Sequence, residues 1–210
     1  MEITKQQIIQ WLQNSQQLFE QHQDYLTQLD REIGDADHGL NMQRGFGKVV
    51  EKLPTVQEKD IGTILKTTGM TLLSQVGGAS GPLFGTFYIK ASTIVNGKES
   101  LSLEEFYQSL KAGVDGIVGR GRAELGDKTM CDVWLPILND FEQMIAENQT
   151  PQVIFKALSE KAQQYAESTI PLKAKKGRAS YLNERSIGHQ DPGATSVSYL
   201  FLALHQAAEE

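Results

Sequence analysis

The chain has a single cysteine, Cys131, so an internal disulfide is excluded and the composition suits a reducing compartment. It has no excess of positive charge: 20 Lys and Arg against 26 Asp and Glu leave a net charge of −6, which argues against binding nucleic acid or an anionic membrane. No apolar run approaches the length of a membrane span. The first residues, Met1 to Gln6, are polar and acidic, so no signal peptide is expected. The common nucleotide fingerprints are missing too. Gly47-Lys48 has neither the upstream glycine nor the following Ser or Thr of a Walker A loop, and Gly45-Phe46-Gly47 lacks the third glycine and the preceding strand of a Rossmann turn. Counting from Asp35 as an EF-hand puts Phe46 where the bidentate Glu belongs. No stretch alternates cleanly over a strand's length. Repeats, low-complexity runs and domain linkers are absent. The expectation is an ordinary globular cytoplasmic protein, a single unit over residues 1–210, large enough to bury roughly 70% of its unfolded surface.

What is present is a helical period. Ile8, Trp11, Leu12, Leu18, Phe19, Tyr25, Leu26 and Leu29 fall at three- and four-residue steps, behind a capping box of Thr4 and Gln7. Further helices are predicted over about 39–53, 60–76 and 81–96, the last nearly all apolar and therefore deeply buried. A fifth begins at Ser102 with Glu105 completing a capping box, and a sixth covers about 130–147. The seventh and eighth open on Thr150-Pro151 and Asp191-Pro192, each a cap followed by proline at the first helical position. The predicted fold is all-α, with eight helices.

Short connections make neighbouring helices antiparallel, so alternate loops share an end of the array. The connections 2–3, 4–5 and 6–7 are solvated turns around Pro54–Glu58, Asn96–Ser100 and Asn148–Thr150. The other four carry all the unusual chemistry. These are Asp30–Asp37, Gly77-Gly78-Ala79-Ser80-Gly81-Pro82, Gly119 through Thr129, and the long stretch Lys173 to Gly193. The even-numbered helices begin at this end, each presenting unpaired N–H groups and the positive end of its dipole, the usual makings of a phosphate site.

The acidic run Asp30-Arg31-Glu32-Ile33-Gly34-Asp35-Ala36-Asp37 is the sharpest signal. Helix capping explains one aspartate and leaves the others without a reason. Three close carboxylates repel one another, and a hard divalent cation such as Mg²⁺ removes that repulsion. The glycine loop at 77–81 folds readily into an amide nest for phosphate, or makes a tight interhelical turn. An arginine in the basic segment Lys173–Arg178 is suited to neutralising a transferred phosphoryl group. His38 and His189 are candidates for phosphohistidine or for loop hydrogen bonds, while His22 and His205 sit in helical patterns. Met130 and Cys131 suit an adenine slot or the core.

Asp30 through Asn41, Gly77 through Pro82, Gly126-Asp127-Lys128-Thr129-Met130, Gly177-Arg178-Ala179-Ser180 and Asp191-Pro192-Gly193-Ala194 occur in that order. This series resembles the DhaL family, the nucleotide-binding subunits of dihydroxyacetone kinases, over essentially the whole chain. The resemblance implies an eight-helix antiparallel up-down barrel with the nucleotide at one end. It implies that Asp30, Asp35 and Asp37 bind two Mg²⁺. It assigns nucleotide contacts to His38, Gly39, Leu40, Asn41, Gly78, Ala79, Ser80, Gly121, Met130, Arg178, Asp191, Pro192 and Gly193, with Arg178 also catalytic. It further implies ADP, cycling with ATP, as a bound coenzyme. The partners it implies are a phosphohistidine-bearing M-type subunit of the phosphotransferase system and a dihydroxyacetone-binding K subunit. The chain's length leaves no room for a substrate domain, which favours this branch over one that uses exchangeable ATP. A phosphohistidine carrier and a nucleotide-sensing regulatory subunit remain as alternative classes.

Overall fold

In the computed structural model, which describes residues 1–210, the chain is all-helical apart from two three-residue strands. Strand β1, Glu2–Thr4, leads into α1, Lys5–Gln21, followed by α2, Gln23–Ile33, and α3, His38–Val56. Then come α4, Ile61–Gln75, α5, Ser80–Ile94, strand β2, Ser100–Ser102, and α6, Leu103–Gly121. The chain finishes with α7, Cys131–Ala146, α8, Pro151–Glu167, a 3₁₀ segment, Arg178–Ser186, and α9, Pro192–Glu209. From α3 to α9 each long helix packs on the next, and α9 returns to α1, which packs on α3, so the contacts close into a circuit. No helix is long and apolar enough to cross a membrane.

The circuit encloses an aromatic core. Phe87 of α5 stacks on Trp134 of α7 at 4.5 Å between ring centroids, and Trp134 meets Phe201 of α9 edge-on at 5.4 Å. Trp11 of α1 lies 5.7 Å from both Tyr88 and Phe106, and its indole N–H donates to the carbonyl oxygen of Leu200 at 2.8 Å. These rings come from five helices spread along the chain, so the core is set by tertiary packing of helix faces, the main source of helical stability in water.

Three expectations are corrected. The first predicted helix is two: His22 interrupts it with φ −107° and ψ 14°, and its ring stacks on Tyr199 of α9 at 4.5 Å. Pro54 does not end its helix. It sits in the last turn of α3, and the ladder closes behind it with Gln57 N–H donating to Leu53 O at 2.8 Å. The chain also has a short sheet, β1 pairing antiparallel with β2, in which Ile3 and Leu101 face each other and are both buried. Three residues are too few for an alternation pattern to register.

Capping differs among the helix starts: α2 continues from α1 across His22 with no side-chain cap, α9 is capped by Asp191, and the others fall into two groups. Thr4 and Ser102 form full capping boxes, and Asp60 and Thr150 also receive a backbone N–H, so α1, α4, α6 and α8 begin with side-chain caps. By contrast α3, α5 and α7 begin at Asp37, Ala79 and Met130 with no side-chain cap. Replacing Trp11 with alanine removes a fully packed ring and its hydrogen bond. It is expected to lower unfolding free energy by roughly 3–5 kcal/mol. Urea unfolding followed by circular dichroism measures this, and a change below about 1 kcal/mol would contradict the packing described.

Candidate active site

The uncapped starts of α3, α5 and α7 open onto one cavity of about 340 Å³, together with the start of α9, the end of α2 and the head of the 3₁₀ segment. That volume falls in the range of small-ligand sites. None of the four capped starts named above lines it.

Asp30 lies in the last turn of α2 and is buried; Asp35 and Asp37 follow on the connection to α3. One carboxylate oxygen from each falls within 4.8 Å of the others. Local structure enforces this. Asp30 Oδ2 accepts the N–H groups of Asp37 at 2.9 Å and His38 at 3.1 Å, folding the connection back over α2. Ala36, between the other two aspartates, has φ +63°, a left-handed conformation that costs about 1–2 kcal/mol for a residue with a Cβ. A Cβ on Gly34 would stand 2.1 Å from Asp30 Oδ1, so only glycine leaves that carboxylate in place. Burial, the hydrogen bond that the Asp37 carboxyl donates to Asp35 and the charge of Asp35 raise Asp37, and burial is also the main cause that raises Asp30. Burial works on Asp35 in the same sense, but its hydrogen bond with Asp37 and the nearby Arg178 charge outweigh it and hold Asp35 low. The donor set is hard, anionic and converging, which fits Mg²⁺.

His38, the first residue of α3, is fully buried. Its Nε2 lies 2.6 Å from Ser196 Oγ on α9 and its Nδ1 lies 3.1 Å from Ser80 Oγ at the start of α5. Burial drives its pKa down to about 4. The ring is therefore a neutral link between three helices, with both nitrogens occupied. Asn41, one turn on, is held by Arg44, whose guanidinium donates to Asn41 Oδ1 at 2.9 Å and to Gln75 O at 3.3 Å. Arg44 thereby ties α3 to the end of α4, which leads into the glycine loop, where Gly78 takes φ +67°.

At the start of α9 Asp191 acts as the cap, accepting Ala194 N–H at 2.8 Å, and burial pushes its carboxyl up to about 7. Gly193 and Met130 stand beside each other, with Met130 both in the core and on the cavity wall. At the head of the 3₁₀ segment, the Arg178 guanidinium lies 3.2 Å from Asp35 Oδ2. The Arg178 side chain is 72% exposed, so this ion pair is worth only about 0–1 kcal/mol and adds little to stability.

All the residues expected at the site line this cavity except Gly39 and Leu40. Gly39 is pressed against α2, where a Cβ would lie 2.1 Å from Gln23 O, and the Leu40 side chain is half exposed. His189 lies outside the lining, His22 stacks on Tyr199, and His205 pairs with Glu209 at 3.7 Å. Sequence reasoning missed Ser196 and Arg44, whose only signal is their three-dimensional contact with His38 and Asn41. It also gave no role to Lys128, which lines the cavity.

Residues 32–206 match the family model described as the DAK2 domain. The chain is 58% identical over 210 residues to the Escherichia coli protein named PEP-dependent dihydroxyacetone kinase, ADP-binding subunit DhaL, covering 100% of both chains. It is 41% identical to an ADP-binding subunit DhaL of Listeria innocua, covering 98% of each. The chain belongs to the DAK2 domain family, in its DhaL branch. The fold of this family member is shared with the dihydroxyacetone kinase of C. freundii, solved in native form and in complex with AMP-PNP and Mg²⁺. The TM-scores are 0.71 and 0.73 at 24% and 23% identity. The match covers 95% of this chain but only 34% and 33% of those longer chains, about a third of their length.

A buried, doubly bonded His38 makes a spectroscopic prediction. Its ring signals in NMR should stay those of neutral imidazole from pH 8 to pH 5 and titrate near 4. Because its folded pKa lies below the unfolded 6.5, His38 contributes stability above pH 6.5 that is lost as pH falls toward 4. Titration near 6.5 would contradict the geometry.

Proposed function

We propose that this chain is the nucleotide-binding subunit of a dihydroxyacetone kinase. It is a single domain built as an antiparallel up-down barrel of eight helical rods, α1 and α2 forming one of them, with the nucleotide site at one end. ADP is its resident coenzyme. The ADP is rephosphorylated by a phosphohistidine-bearing M-type partner of the phosphotransferase system, and the phosphoryl group passes to dihydroxyacetone held on the K subunit. The observation that carries this reading is the meeting of three uncapped helix starts with three converging carboxylates in one cavity. Uncapped N–H groups and helix dipoles attract phosphate, while the carboxylates require a cation between them and it. The Escherichia coli relative, matched over its whole length, is named as PEP-dependent and ADP-binding, which supports the branch with a retained coenzyme.

Each residue has a task. Asp30, Asp35 and Asp37 hold two Mg²⁺, whose charge offsets that of the phosphoryl group when bound. His38, Gly39, Leu40 and Asn41 present the first turn of α3. Gly78, Ala79 and Ser80 present the amides that open α5, and Gly121, Met130, Asp191, Pro192 and Gly193 flank the nucleoside. Arg178 exchanges its weak, solvent-screened bond with Asp35 for a phosphoryl oxygen at little cost, so it is free to follow charge as it moves. No covalent nucleophile is needed on this chain. A phosphohistidine carrier on His38 is disfavoured because both ring nitrogens are engaged and the ring is buried.

The deciding experiment uses freshly purified, desalted protein, denatured to release small molecules for ion-pair chromatography. About one ADP per chain is expected. An empty protein that takes up ATP with Mg²⁺ would favour the exchangeable-ATP reading, and one that binds no nucleotide would overturn the proposal. Asp35→Ala should lose the nucleotide while keeping its helical circular dichroism; full phosphotransfer by that variant would remove the trio from metal binding. Arg178→Ala should retain ADP yet slow transfer by about 10²-fold or more, as loss of one transition-state charge contact does.

A further inference from the structure

Lys128 is the most deeply buried charge in the chain, with a relative exposure of 2%. It forms no ion pair. Its ammonium donates to three backbone carbonyls, those of Ser186 at 2.8 Å, Leu172 at 3.0 Å and Ile170 at 3.4 Å. An ammonium has three hydrogens and no acceptor, so this set satisfies it fully. The Asp191 carboxylate is near enough to favour the charge without pairing with it directly, yet burial is the larger effect, and an apolar side chain of equal length would pack there without that cost. Lys128 also adopts φ +63°, a strained conformation for a residue with a Cβ.

The three carbonyls share one property. Ile170 and Leu172 end the stem that leaves α8, and Ser186 begins the stem that returns toward α9. Between them runs the excursion that carries Arg178. Neighbouring bonds fasten the same two stems: Ala174 N–H donates to Ser186 Oγ at 2.9 Å, Lys175 N–H to Asp127 O at 3.1 Å, and Gly188 N–H to Ile170 O at 2.7 Å. Beyond these ties residues 175–178 are exposed. We propose that Lys128 is a positioning residue for phosphoryl transfer: its ammonium clasps both stems of the 173–186 excursion and so fixes where Arg178 stands over the aspartate trio. This rests on the reading of Arg178 given above. Lys128 directly precedes Thr129 and Met130 on the cavity wall, so one residue registers the nucleoside end of the site against the phosphate end.

The test is Lys128→Met, which keeps the length of the side chain and removes the three donors. Limited trypsin digestion followed by mass spectrometry reads the clasp directly, because Lys175, Lys176 and Arg178 are themselves cleavage points. Cleavage there should accelerate about tenfold or more, the scale set by losing a hydrogen bond to a charged group, while thermal unfolding stays cooperative. In the phosphotransfer assay Lys128→Met should keep its ADP and fall in kcat toward the Arg178→Ala value. The double variant should be no slower than Arg178→Ala alone. Unchanged cleavage, additive losses in the double variant, or loss of ADP from Lys128→Met would each overturn the positioning role. Should Lys128→Met fail to fold, Lys128→Gln keeps a polar head but has only two N–H donors, too few for the three carbonyls of the clasp. Faster cleavage at 175–178 is again expected and an unchanged rate would overturn the clasp. If the protein proves to hold no nucleotide, digestion still decides the clasp, and the functional reading fails separately.

Discussion

Three carboxylates held within 4.8 Å of one another form the constraint around which this structure is arranged. The protein relieves their repulsion only in part, through two backbone N–H bonds to Asp30, a hydrogen bond between Asp35 and Asp37, and one exposed arginine whose pairing solvent screens. Holding the trio together therefore costs free energy, visible as a left-handed alanine at position 36 and as the requirement for glycine at 34. Strain of this kind persists where the surrounding structure over-determines it, and it accompanies sites that receive a ligand of opposite charge.

The distribution of helix caps follows the same logic. A cap satisfies an orphan amide and stabilises a helix by about 1 kcal/mol. Four helix starts have one and lie away from the cavity, whereas three starts that line it have none. The amides left open are then available to an anion. The fourth start on the cavity, at Asp191, keeps its cap, but with a buried carboxyl pushed up to about 7. Arg44, His38 and Lys128 are the struts of this arrangement, joining α3 to the end of α4, α3 to α5 and α9, and the Arg178 excursion to the wall at Thr129.

Much of this was legible in the residues. The helical period located nearly every long helix, and the caps at Thr4, Ser102, Thr150 and Asp191 stand where the sequence signals put them. The grouping of unusual loops on alternate connections led directly to the shared cavity. The errors have specific causes. His22 breaks a helix through a stacking contact with Tyr199, far away in sequence. Pro54 is tolerated because the last turn of α3 continues around it. His38 read as an ambiguous histidine because its partners, Ser196 and Ser80, are distant serines with no motif of their own.

The sequence by itself determined the all-helical class, the separation of a chemical end from a plain one, and the acidic and glycine-rich composition of the site. Those are local properties, written in periodicity, capping residues and turn residues a few positions apart. Only the tertiary structure decided which atoms meet: that His38 is a neutral buried link, that Arg44 holds Asn41, and that Lys128 fastens the excursion carrying Arg178. These depend on side chains separated by dozens of residues. Their energies come from burial and from hydrogen-bond geometry that exists only once the helices have packed.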